Sequence, residues 1–186
     1  DVSVKSEAER LVREVVDRYG RLDILYSAAG GNFDPTRDFA DVDEAFWNTT
    51  VTNTVNSLYN LAQAVRPVMR EHGGGAIVTI AASFSVRQEG NAAYGAAKGG
   101  VIGLTQNLAR EFYPDNIRVN CIAPGQVFTP RIEARMTEGL RGMRVETSPL
   151  GTEGTAWDIA WANVYLASEE ARWVTGVMLP VDAGLA

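Results

Sequence analysis

Residues 76–125 read AIVTIAASFSVRQEGNAAYGAAKGGVIGLTQNLAREFYPDNIRVNCIAPG. Ala76–Ile80 is a short apolar run bounded by Gly73, Gly74 and Gly75, which reads as a buried strand. Asn91–Phe112 is a long helix rich in Ala, Gly and Leu, and Ile117–Ile122 is a further strand that Pro124 and Gly125 break. Outward from this unit the alternation continues. Upstream, Ala8, Leu11, Val12, Val15, Val16 and Tyr19 mark one face of a helix from Ser6 to Tyr19, with Gly20 as its stop. Leu22–Tyr26 reads as a strand, and Asp43 to about Glu71 as mostly helical, bent or broken at Pro67. Downstream come a polar stretch from about Thr129 to Gly154 expected to be a mobile loop with a short helix, a helix from Thr155 to Ser168 and a strand from Val177 to Val181. Strands separated by helices imply an α/β domain, residues 1–186, with a parallel sheet covered by helices on both faces.

Composition narrows the function. At 186 residues the chain is long enough to bury a core without staples. A net charge of −6 with no Lys/Arg run argues against a nucleic-acid surface. No apolar stretch reaches the length of a membrane span. Cys121 is the single cysteine, so no internal disulfide forms and a reducing cytoplasm is the expected location. One cysteine and one histidine (His72) cannot build a zinc site, and no Asp/Glu cluster suggests another metal.

The chemistry centres on Tyr94 and Lys98. At i and i+4 on a helix they share one face. An ammonium beside a phenol favours the phenolate, which makes Tyr94 a general acid/base near neutral pH. The bland alternative is a tyrosine packed on a lysine stem. Context weighs against it: Ser83, Ser85 and the Pro124-Gly125 turn all lie past the carboxyl ends of strands, where parallel sheets bind ligands.

Ala93-Tyr94-Gly95-Ala96-Ala97-Lys98-Gly99-Gly100 resembles the signature of the short-chain dehydrogenase/reductase family. Gly20–Leu25 followed by Ala29-Gly30, Thr52-Asn53-Thr54, Ile117–Gly125, and Leu166-Ala167-Ser168 through to Val181-Asp182-Ala183-Gly184 resemble further family segments in the same order. The resemblance implies a Rossmann-like doubly wound fold and an NAD- or NADP-dependent oxidoreductase that interconverts an alcohol and a ketone or aldehyde. It implies that Tyr94 exchanges the substrate proton, that Lys98 lowers the Tyr94 pKa and holds the nicotinamide ribose, and that Asn53 holds a water in a relay to Lys98. A serine polarises the carbonyl; Ser83 is favoured and Ser85 is the fallback, with a solvent-facing loop as the plainer reading of each. The resemblance further implies that Pro124, Gly125, Val127 and Thr129 line the nicotinamide end, that Ala28, Ala29 and Gly30 pass beneath the adenosine ribose, and that Asp1 and Val2 touch the adenine. A small-molecule substrate and a homo-oligomer, dimer or tetramer, built on the two long helices are implied as well.

Some features depart from the family pattern. Ser27-Ala28 stands where two asparagines are usual, and Asn56 where glycine is common. The Gly-rich phosphate loop that should open the fold is not found: Gly73-Gly74-Gly75 precedes a strand, the glycines from Gly95 to Gly103 lie within a helix, and Ala29-Gly30-Gly31 has the wrong spacing. The expectation is therefore a C-terminal portion of the fold, lacking its first two strand–helix units and third strand, with the Leu22–Tyr26 strand as an apolar edge. The rival to an enzyme is a catalytically silent module that keeps the scaffold. Ala28–Phe33 also bears a fainter similarity to enoyl-CoA-type reductases, for which Arg131, Arg135, Arg141 and Arg144 are the nearby cations, although a solvated helix face explains those arginines more simply. Met136, Leu140 and Met143 suggest an apolar lid over the substrate.

Overall fold

The computed structural model describes residues 1–133 and 137–185. Arg135 and Met136, and the side chains of Arg131 and Leu140, lie outside the described residues.

The elements run α1 (Lys5–Tyr19), β1 (Ile24–Ser27), α2 (Glu44–Val51), α3 (Ser57–Glu71), β2 (Gly75–Ile80), α4 (Phe84–Glu89), α5 (Ala92–Phe112), β3 (Ile117–Pro124), α6 (Pro130–Glu133), α7 (Glu138–Thr147), α8 (Ala156–Ala167) and β4 (Met178–Val181). The sheet has the order β1-β2-β3-β4, and every neighbouring pair is parallel. β1, β2 and β3 each lead through a helical crossover to the next strand, as parallel pairing requires. The result is the α/β architecture with a Rossmann-like parallel sheet.

Alternation along the strands sets the two faces. Ile77 and Val119 point to one side, where Val12, Ala62, Val65, Met69, Leu108 and Phe112 of α1, α3 and α5 close over them. Val78 and Ile122 point to the other side and pack on Ile159 and Leu166 of α8. These side chains are at most 8% exposed, so the core lies on both sheet faces. β1 occupies one end of the sheet order, and its Ile24 and Tyr26 are 52% and 43% exposed.

Helix ends follow local chemistry. Gly20 takes φ +78° after α1 and donates its N–H to the Val16 carbonyl at 2.7 Å. Asp43 accepts from the Phe46 N–H at 2.7 Å and starts α2. Thr155 and Asp158 form a capping box at α8.

The structure differs from the sequence reading in several places. Pro67 does not interrupt α3, because Pro67 and Gln63, whose carbonyl loses its helical partner, both lie on the exposed side. The irregularity is instead a π-helical stretch over Thr52–Asn56 between α2 and α3. The serine-bearing segment after β2 is helical as α4 rather than a loop. The Thr129–Gly154 stretch carries α6 and α7. It is tied back by strand-like bonds from the Phe128 N–H to the Gly154 carbonyl at 2.7 Å and from the Gly154 N–H to the Gln126 carbonyl at 3.1 Å.

Candidate active site

The carboxyl ends of β1, β2 and β3 lead into Ala28–Gly31, Ala81–Ser83 and Gly125, and these turns gather at one end of the sheet. The start of α5 lies beside them. Asn91 caps this helix, its Oδ1 accepting the Tyr94 N–H at 2.9 Å. Tyr94 and Lys98 therefore project from the first turns of a well-anchored helix, 8% and 6% exposed respectively.

Lys98 donates from Nζ to the Ile80 carbonyl at 2.9 Å, which fixes the ammonium against the end of β2. It stands 6.0 Å from the centre of the Tyr94 ring. Burial pushes its pKa down to about 8, with the nearby Cys121 acting in the opposite direction. Tyr94 also meets Phe33, whose ring centroid lies 5.2 Å away at an interplanar angle of 78°.

Tyr94 and Lys98 open together into a cavity of about 810 Å³. Gly125, Val127 and Thr129 line it too, as do the apolar side chains of Phe33, Pro35, Ile80, Val86, Ile132 and Met143. Glu89, Gln126, Arg144 and Thr147 complete the polar part. A smaller cleft of about 320 Å³ holds Asp1, Val2, Ala29, Asn32, Asn53 and Ser57. Gly30 and Gly31 line both, so the two spaces adjoin. Gly30 takes φ +133°, and a Cβ there would stand 3.0 Å from the Thr54 hydroxyl, so glycine is needed for this close approach.

The expected site residues thus divide between the two spaces. Tyr94, Lys98, Gly125, Val127 and Thr129 share the larger one. Asp1, Val2, Ala29 and Asn53 share the smaller, with Asn53 exposed on the π-helical stretch. Ala28 is exposed at the end of β1, and Pro124 ends β3 with its carbonyl accepting the Ser83 N–H at 2.9 Å. Ser83 is 1% exposed, and its hydroxyl lies 3.2 Å from that of Ser85; neither serine is among the residues lining the cavity.

The sequence reading missed α4 and the wall that Phe33 makes; Met143, which it set over the substrate, lines the cavity. Ser83 before α4 and Gly90 after it are the kind of boundary residues that could have signalled the short helix. Nothing local marks Phe33, because its place depends on its contact with Tyr94, far along the chain. Arg141 and Arg144 both pair with Glu153, at 3.2 Å and 2.8 Å.

The whole chain, residues 1–186, matches the family model described as enoyl-(acyl carrier protein) reductase. The 3-oxoacyl-[acyl-carrier-protein] reductase FabG of Thermotoga maritima is 34% identical, with all of this chain aligned to 74% of that protein. The chain belongs to the short-chain dehydrogenase/reductase family. The cyclohexanol dehydrogenase of a Rhodococcus species is 35% identical, over all of this chain and 70% of its own length. A 7α-hydroxysteroid dehydrogenase solved with NADH and 7-oxo glycochenodeoxycholic acid superposes with a TM-score of 0.89 at 30% identity, covering 99% of this chain and 71% of that one. Membership makes the chain a short-chain dehydrogenase/reductase-type oxidoreductase, of a family that uses nicotinamide dinucleotides. Among the described residues no helix is long and apolar enough to cross a membrane, and no group of metal-ligating side chains is found.

Proposed function

We propose that this chain carries the proton-transfer half of an NAD(P)-dependent alcohol/carbonyl oxidoreduction, with Tyr94 as general acid/base. One observation carries the reading: the buried pair Tyr94 and Lys98 opens into a single cavity, with the Lys98 ammonium 6.0 Å from the phenol ring and held on the Ile80 carbonyl. A cation so placed stabilises the phenolate and lets Tyr94 release and recapture a proton. In the reducing direction the Tyr94 hydroxyl delivers its proton to the carbonyl oxygen as the carbonyl carbon gains hydride; oxidation reverses both transfers. A bound nicotinamide supplies or accepts that hydride.

The residues present fit such a cofactor. Gln126 lines the cavity, and its buried Oε1 has no hydrogen-bond partner, which suits an amide donor such as the nicotinamide carboxamide. Gly125, Val127 and Thr129 would hold that end of the cofactor, and Gly30, Asn53, Asp1 and Val2 would line its continuation. Ser83 is the favoured carbonyl-polarising hydroxyl, with Ser85 beside it. The apolar walls from Phe33, Val86, Ile132 and Met143 favour a carbonyl on an apolar carrier. The 7-oxo bile acid of the 7α-hydroxysteroid dehydrogenase complex is such a carbonyl, and cyclohexanol is the alcohol counterpart of one.

The test joins nucleotide titration to turnover. NADH or NADPH fluorescence should rise on addition of the chain, and reduction of cyclohexanone, a 7-oxo bile acid or acetoacetyl-CoA should follow. Tyr94→Phe should lower kcat by at least about a hundred-fold while leaving the fold intact. Turnover retained in Tyr94→Phe would overturn the mechanism, and absence of nucleotide binding at millimolar concentration would favour the silent module.

A further inference from the structure

We propose that Asn91 and Asn32 are positioning residues that hold the Phe33 ring against Tyr94 and thereby set the orientation of the catalytic phenol. The proposal deepens the reading of Tyr94 as the proton donor and rests on it.

A continuous line of hydrogen bonds runs from α2 to the catalytic helix. The Thr50 hydroxyl, fully buried, donates to the Phe46 carbonyl at 2.7 Å and accepts from Asn32 Nδ2 at 2.9 Å. The Asn32 carbonyl accepts from Asn91 Nδ2 at 2.7 Å, and Asn91 Oδ1 accepts the Tyr94 N–H at 2.9 Å. Asn91 Nδ2 also reaches the Asp34 carbonyl at 3.5 Å. Asn32 and Asn91 are 59 positions apart, so these bonds fasten a loop to the helix rather than shape either one locally.

Phe33 sits between the two carbonyls that Asn91 holds. Its ring meets Tyr94 edge to face. Asn32 takes φ +65°, a conformation that non-glycine residues rarely adopt, and its side chain is bonded on α2 while its carbonyl is bonded on α5. The approach is close enough that a Cβ on Gly90 would stand 2.7 Å from the Tyr94 ring and 3.3 Å from that of Phe33. The phenol therefore has a wall on this side, and the wall's position is set by Asn91, which is 4% exposed.

Asn91 does two things with one side chain. The acceptor caps the helix and the donor pins the loop. Serine retains a cap but has no amide to reach the Asn32 carbonyl. Asn91→Ser therefore isolates the second role. Asn32→Gly is the complementary variant, because glycine accepts φ +65° and loses only the bond to Thr50.

Both variants are compared with the parent chain and with Tyr94→Phe, using cyclohexanone with NADH and with NADPH as probes. The titration of Tyr94 is followed in parallel as the phenolate absorbance difference against Tyr94→Phe, a readout that needs no turnover. Each variant should lower kcat about ten-fold with KM within about two-fold, and should displace both the pH dependence of kcat and the phenolate titration. A role in folding alone would lower the melting temperature and leave both pH profiles in place. Unchanged kcat and phenolate titration in both variants, with Tyr94→Phe inactive, would overturn the positioning role while leaving the catalytic reading intact. Retained turnover in Tyr94→Phe would instead sink the catalytic reading, and the phenolate titration would still judge the positioning. If Asn91→Ser fails to fold, Asn32→Gly decides.

Discussion

The Lys98 ammonium is held by the Ile80 carbonyl at 2.9 Å and is 6% exposed. Its pKa is down at about 8 from an ordinary 10.5, because burial disfavours the charged form. The folded state therefore binds fewer protons than the unfolded chain between about pH 8 and 10.5. Stability contributed by this group rises as pH increases through that window, and the full cost of burying the charge is present below pH 8. Between pH 8 and 10 the unfolding free energy of the parent should gain on the order of 2 kcal/mol relative to Lys98→Met. Urea melts across that range check it; parallel profiles for the two proteins would refute it. At this scale the sequence was informative about identity, since the spacing of Tyr94 and Lys98, the strand ends around them and the family motif together single them out. It was silent on the environment of the pair: the depressed lysine depends on β2 and β3 packing around a side chain of α5.

α7 is the element whose position depends on ion pairs. Glu153 is 5% exposed on its side chain and pairs with Arg144, itself 14% exposed, at 2.8 Å, and with Arg141 at 3.2 Å. The Arg141 guanidinium also lies 4.0 Å over the Phe128 ring. α7 supplies Met143, Arg144 and Thr147 to the cavity, so the clamp on Glu153 holds one wall of the candidate site. Replacing Glu153 by Gln leaves two guanidinium groups facing a neutral amide, one of them nearly buried. It should destabilise the fold by about 2–3 kcal/mol and speed tryptic cleavage within α7. An unchanged melt and digestion pattern would show that α7 stands without the clamp. The same element shows what the expectation of a short helix here left open: Glu138–Thr147 holds two glycines, a weak local helix signal, and the partner that fixes it is a single carboxylate beyond the helix. Pro67 is the converse case, a strong local breaker overridden because α3 buries Leu58, Leu61, Ala62, Val65 and Met69 while the proline faces water.

Over the whole molecule, apolar surface is covered unevenly. β1 stands at one end of the sheet order, with Ile24 and Tyr26 exposed on the face that α8 covers further along the sheet. Because both side chains are already exposed, Ile24→Lys combined with Tyr26→Lys should change the unfolding free energy by no more than about 1 kcal/mol in urea melts, and a larger loss would show that they hold the sheet. By itself the sequence determined the order and type of the main elements, the parallel class of the sheet and the Tyr94/Lys98 pair. Those follow from short apolar runs, a helical spacing of nearly four residues, the order of the elements and the motifs, all legible along the chain. Only the tertiary structure decided that the expected cofactor residues split between two adjoining spaces, that Phe33 walls the phenol, and that Glu153 anchors α7. Each of these rests on contacts between distant segments: Asn91 with Asn32, Phe33 with Tyr94, and Arg141 with Glu153, where burial and hydrogen bonding select partners that no local pattern encodes.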